Sequence, residues 1–124
     1  MTNTHFTYDQ DIVTDPNTGL MWQRHISKKI FTLETAKLYA ADLRLGGYEG
    51  WRVPNKAELL SIVDHSRRNP AIDIEAFPNT PSEYFWTVSP VASNSNGAWI
   101  VLFNNGDSSS YYDVSYFSRV RCVR

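Results

Sequence analysis

Directly after the apolar run Trp99–Phe103 the chain reads Asn104-Asn105-Gly106-Asp107. An Asn-Gly pair in that place is the strongest short-range hairpin signal, because both residues accept the positive φ angles of tight turns. The segment that returns from the turn is unusual. From Asn104 to Ser118, NNGDSSSYYDVSYFS, it consists almost wholly of Asn, Ser, Asp and Tyr. A strand normally alternates apolar and polar residues so that one face can be buried. Here one arm of the hairpin carries core residues and the other carries hydrogen-bonding tips. Tyr supplies rigid contact area at low entropic cost, and Ser and Asn supply adaptable hydrogen bonds, the mixture found on recognition surfaces. A polar hairpin with ordinary exposed tyrosines has the same composition, and both readings stand at this point.

Such a hairpin needs a core to rest on. The 124 residues are enough for one domain, 1–124, with residues 1–10 as an N-terminal extension. Aromatics make up 14% of the chain, which argues against disorder. Cys122 is the only cysteine, so no intrachain disulfide can form and packing must hold the fold. In Val120-Arg121-Cys122-Val123 it shares a strand face with Val120 and reads as a small buried hydrophobe. A net charge of −1 lacks the electrostatic footprint of a general nucleic-acid binder. No apolar run reaches membrane-span length, and Met1–Gln10 has no hydrophobic export signal.

Earlier segments read as ordinary elements. Ile12–Thr14 and Leu20–Gln23 form strands around the turn Asp15–Gly19, whose Pro, Asn and Gly preset turn geometry. Thr32 can cap a helix running to about Leu45, with Leu33, Ala36, Ala40 and Leu43 as its buried stripe and Gly46-Gly47 as its stop. A second helix starts after Pro54 with Asn55 and Glu58 as a capping-box pair and ends near Asp64 or His65. The stretch from Ser66 to Ser82 reads as a long ordered loop pinned by Ile72, Ile74 and Phe77. Strands Tyr84–Val88, Ala98–Phe103 and Arg119–Val123 follow. This order predicts an α+β fold with antiparallel sheet.

At this point several spaced blocks become recognisable. Asp15–Trp22 (DPNTGLMW), Gly46–Asp64 (GGYEGWRVPNKAELLSIVD), Phe77–Thr80, Tyr84–Trp86 and the ending RVRCVR together resemble the DUF1566 family, which includes the C-terminal domain of the Legionella collagen-like adhesin. The resemblance runs from about Asp11 to Arg124. It implies a C-type-lectin-like fold: two helices packed on antiparallel sheet, paired terminal strands and a loop-rich ligand face. It also implies a cell-surface or extracellular setting. DUF1566 domains occur among the variable proteins of diversity-generating retroelements, where mutagenised AAY codons yield Asn, Asp, Ser and Tyr. The composition of Asn104–Ser118 fits that outcome. Glycosaminoglycan binding in the family implies a sulfated glycan, which Arg119, Arg121 and Arg124 would attract and which Asp107 and Asp113 oppose. Many relatives carry a helix cysteine near the position of Ala40, and this chain does not.

The candidate ligand-binding residues are therefore Asn94, Asn96, Asn105, Asp107, Ser109, Tyr111, Tyr112, Asp113 and Tyr116. The tyrosines would act as anchors, on a sugar ring or in pockets of a protein. Period-two alternation turns about half of the set inward. No catalytic residue is expected. Asp64-His65 lies where a helix end would explain it, and one Cys in an apolar strand does not support formylglycine-type oxidation. His5, His25 and His65 match no metal spacing, and Asp64, Asp73 and Glu75 are too scattered for calcium, so no cofactor is expected. Trp22, Trp51, Trp86 and Trp99 read as core, and Arg52 as the partner of a carboxylate or loop carbonyl. The expected function is non-enzymatic recognition of a surface protein or glycan. The alternative is an assembly module of an adhesin or phage-tail tip, a homo-oligomer with the same face between subunits.

Overall fold

The computed structural model describes residues 5–124. Six strands and two helices follow in the order β1 (Thr7–Tyr8), β2 (Ile12–Asp15), β3 (Leu20–Gln23), α1 (Leu33–Asp42), α2 (Lys56–Leu60), β4 (Tyr84–Val91), β5 (Asn94–Leu102) and β6 (Ser108–Asp113). They form two antiparallel three-stranded sheets, β1-β2-β3 and β4-β5-β6. The predicted α+β class and antiparallel pairing are present. The N-terminal hairpin lies where its turn chemistry placed it, with Gly19 at φ +76. Thr7–Tyr8, within the expected extension, adds a third strand to it.

β4 and β5 carry core on both faces. Phe85, Val101 and Phe103 pack with Trp22, Val13, Leu59, Ile72 and Phe77 on one side. Trp86, Ala98 and Ile100 pack with Leu33, Ala36, Ala40, Trp51, Val53 and Cys122 on the other. Alternation along a strand sends neighbours such as Phe85 and Trp86 to opposite faces, so two apolar residues in succession read as a doubly covered strand. Val120 and Cys122 do share a side, as their spacing predicts.

α1 is capped by Thr32, whose hydroxyl accepts from the Thr35 amide, and it buries Leu33, Ala36 and Ala40. It stops at Asp42, earlier than expected, because Leu43 swings to an extended ψ of 131°. Gly46 and Gly47, both at positive φ, then close a tight Leu45–Tyr48 turn instead of ending the helix. α2 has the predicted capping box but only five residues. Ser61 follows it as a C-cap, and the Asp64 amide already bonds to the Ala71 carbonyl in the long loop. His65 thus stands away from any helix end, with Nε2 3.3 Å from the Gly106 carbonyl oxygen. Ile72 and Phe77 pin the long loop, but Ile74 is 51% exposed. Ala71 and Ala76, both fully buried, do the work assigned to it.

The expected strand Arg119–Val123 is not continuous. Its backbone serves three different partners in turn: Phe85 in parallel, then Trp22 and Arg52 in antiparallel bridges. Main-chain bonds Gln23–Cys122 and Met21–Arg124 join it to β3, so the two ends of the chain do pair. Three tryptophans are buried and Trp99 is half-buried beneath the Lys56 ammonium, 3.4 Å from its ring centroid. The Trp86 indole donates to the Phe31 carbonyl at 2.6 Å and that of Trp51 to Tyr48 at 3.1 Å, whereas the Trp22 indole N–H has no partner.

Arg121 corrects the expectation that it attracts a ligand, since it is 1% exposed. Its guanidinium donates to the carbonyls of Gln23 (2.6 Å) and Arg24 (2.7 Å) and to the Thr80 hydroxyl (2.8 Å), and it lies over the Phe77 ring. Burial pulls its pKa down to about 9, so it stays charged at neutral pH. It works as an internal clamp between β3 and the long loop.

Candidate functional site

The β5–β6 hairpin spreads the nine candidate residues over two ends. β5 begins at Asn94, paired with Val91 across the two-residue turn Ala92-Ser93. The Asn94 side chain accepts from the Asn96 amide at 3.0 Å, and the Asn96 carbonyl accepts from Val114. Asp113 lies opposite Gly97, and its carboxylate accepts from the Ser115 amide (2.8 Å) and hydroxyl (2.7 Å). Those bonds, the backbone one first, hold the Asp113 carboxyl below its usual range, so it is an anion at neutral pH. Tyr116 follows, 55% exposed, with its amide bonded to the Asp113 carbonyl. Asn94, Asn96, Asp113 and Tyr116 therefore gather at one end.

Asn105 and Asp107 stand at the other end. With about 3.3 Å per strand residue, Asn104 lies on the order of 20 Å from Gly97. Their side chains are spent on the turn: Asn105 Oδ1 accepts from the Asp107 amide at 2.9 Å, and Asn105 Nδ2 donates to Asp107 Oδ2 at 3.2 Å. Gly106 holds the turn against Val63 and His65 at φ +88, a conformation L side chains rarely adopt. Ser109 pairs with Ile100 and, since directly opposed residues share a face, lies on the inward side. Between Ala98 and Ile100 the register shifts, so that Ser110 and Tyr111 oppose the single residue Trp99. Such a bulge bends and re-aims the strand. The side chains of Tyr111 and Tyr112 lie outside the described residues.

Beside the Asn94–Tyr116 end runs a groove that the sequence reading missed. It encloses about 510 Å³ between α1 and the β4–β5 hairpin, floored by Leu33, Val88, Ala98 and Val114 and rimmed by Glu34 and Lys37. The Leu33 amide bonds to the Val114 carbonyl, which fixes the start of α1 against the chain leaving β6. The only sequence signal was the i, i+3 spacing of Glu34 and Lys37, exposed residues that flank the buried stripe of α1. The arrangement can grip a ligand by shape and hydrogen bonds. Among the described residues, no group of three or more His, Cys, Asp or Glu side chains is placed to hold a metal ion. No helix among them is long and apolar enough to cross a membrane. Cys122 is buried, and burial pushes its thiol up to about 12.

Comparison with curated proteins finds no match. Residues 11–124 do match the Lcl C-terminal domain, and the chain belongs to that adhesin-related family.

Proposed function

We propose that this is a non-enzymatic recognition domain, C-type-lectin-like in its ligand face, which binds a protein or glycan at a cell surface. The site is the end of the β5–β6 hairpin where Asn94, Asn96, Asp113 and Tyr116 meet the groove along α1. One observation carries this reading. An apolar-floored groove, lined also by Glu34, Lys37 and Ser95, runs next to the backbone that carries Asn94, Asn96 and Asp113, the combination of an apolar wall and a few polar groups that small ligand sites use. The inert, protonated state of the only thiol supports the absence of cysteine catalysis.

The test is binding of the labelled domain to a printed glycan panel and to cells with and without protease treatment. Tyr116→Ala and Asn96→Ala should each weaken binding about tenfold, the scale of an anchor residue. A triple variant that also carries Asp113→Ala and binds as well as the parent, at unchanged melting temperature, would place the ligand elsewhere. Diversification of the face by a retroelement predicts clonal variation confined to codons in 94–118 that match adenines of a nearby template repeat. The assembly reading draws on the exposure of Tyr116 (55%) and Phe117 (57%). Sedimentation separates the two: a monomer favours recognition, and a stable oligomer that protects both rings favours assembly.

A further inference from the structure

A second surface is organised around Arg119. We propose that it docks an extended acidic peptide, one that presents a carboxylate side chain next to a bulky apolar one. The proposal stands independently of the groove along α1.

Arg119 is a fixed ridge. Its Nε donates to Glu83 Oε1 at 2.7 Å and its Nη1 to the Lys28 carbonyl at 2.6 Å. Its backbone bonds on both sides of Phe85, to Tyr84 and to Trp86. On one flank lies a recess of about 420 Å³ lined by His25, Lys28, Pro78, Asn79, Pro81 and Arg119, with cationic and apolar walls and no acid. Asn79 holds its lip at φ 58. On the other flank lies a recess of about 320 Å³ formed by Ile30, Tyr84 and Phe117 together with Glu83.

The apolar recess follows from local register. The Phe31↔Ser118 bridge, with both main-chain bonds at 2.8 Å, turns those two buried residues inward. Alternation then sends their neighbours Ile30 and Phe117 outward, where they are 53% and 57% exposed beside Tyr84 at 42%. Exposed clusters of large apolar side chains rimmed by charge mark interaction sites.

Charge placement selects the occupant. Among the residues that line the two recesses, Lys28 is the cation on one side of the ridge, and the only carboxylate, Glu83, is on the apolar side. A sulfated chain carries anions along its whole length. It would meet Glu83 on one flank and would desolvate its hydroxyls against Ile30 and Phe117 without hydrogen-bonding partners. A peptide alternating acidic and apolar side chains fits both flanks at once: carboxylate beside Lys28 and His25, apolar side chain against Ile30 and Phe117.

The experiment is an amide chemical-shift titration of the full chain with the capped peptide Gly-Asp-Phe-Asp-Gly. Control peptides replace both Asp by Asn, or Phe by Ala. Shifts are expected at residues 27–30, 79–84 and 117–119, with a Kd of about 0.1–1 mM, reasonable for two shallow recesses. Each control should bind about three- to tenfold more weakly. Lys28→Glu and Phe117→Ser alter exposed side chains, so the spectrum verifies their fold, and each should weaken binding by about the same factor. Silence of these amides up to about 5 mM peptide, well above the expected Kd, would overturn the proposal. So would equal binding of the Asn control, tighter binding of a sulfated disaccharide to the same amides, or shifts produced by protein concentration alone.

Discussion

Glu58 ties three parts of the chain together, and its replacement offers a graded test of that arrangement. Its Oε1 accepts from the Asn55 amide (2.9 Å) and from Arg52 Nη1 (2.7 Å), while Oε2 accepts from Arg52 Nη2 (2.7 Å). Arg52 in turn pairs its backbone with Val123. A helix of five residues such as α2 has no stability of its own, so caps and packing decide whether it forms. Glu58→Ala removes the reciprocal cap, about 1 kcal/mol, and the bidentate pair. Since the Arg52 side chain is 48% exposed, solvent screening limits that pair to about 0.5–1 kcal/mol. The sum, about 1.5–2 kcal/mol, corresponds to about 5–8 °C in Tm for a domain of this size. Glu58→Gln keeps an acceptor for the Asn55 amide and loses the charge and one of the two Arg52 hydrogen bonds, so about 2–4 °C is expected. The Arg52 hydrogen bond, foremost, holds the Glu58 carboxyl below its usual range. The unfolded carboxyl therefore takes up a proton at higher pH than the folded one, and unfolding binds protons. Its contribution is fully present above a pH of about 4.3 and is lost as pH falls through the lower folded value. The gap between parent and Glu58→Gln, followed by thermal melts from pH 7 to 3, should close in acid. Equal damage from the two variants, or a gap that persists at pH 3, would refute this account.

Two further outcomes follow from burial and backbone geometry. Gly106→Ala places a Cβ 2.6 Å from Val63 Cγ1 at a φ of +88, and should cost about 2–3 kcal/mol in urea unfolding; a cost below about 0.5 kcal/mol would mean that the turn relaxes freely. Cys122, fully buried with its thiol pushed up to about 12, should resist a thiol reagent at pH 8 until denaturant opens the domain; rapid stoichiometric labelling of the native chain would contradict that placement.

Local chemistry was legible in the sequence wherever one segment decided the outcome. The Asp15–Gly19 turn, the Thr32 cap, the Asn55–Glu58 box and the Asn-Gly turn all depend on side chains a few residues apart. Arg52 also met the carboxylate expected of it. What escaped depends on distant partners. Arg121 reads as a surface cation among arginines, and only the carbonyls of Gln23 and Arg24 make it an internal one. Ile74 reads as an anchor, but its loop turns it outward and buries the alanines around it. α2 ends early because the Asp64 amide finds Ala71, a competition that helical periodicity does not register. The candidate site was half legible. Composition located the β6 arm, yet the hairpin's own length carries Asn105 and Asp107 away from Asn94 and Tyr116.

The stitching of residues 119–124 into the rest of the molecule also sets the tempo of its folding. The contact between Arg124 and Met21 spans 103 positions, and the bond from Cys122 to the Gln23 side chain spans 99. Loop-closure entropy must be met before such long-range pairings return any free energy, and domains rich in them fold slowly. Until they form, the outer edge of β3 presents unpaired N–H and C=O groups beside Trp22, a template for intermolecular strand addition. Kinetic partitioning between closure and aggregation should hinge on that edge, so refolding yield is expected to fall steeply with protein concentration while equilibrium stability stays unchanged.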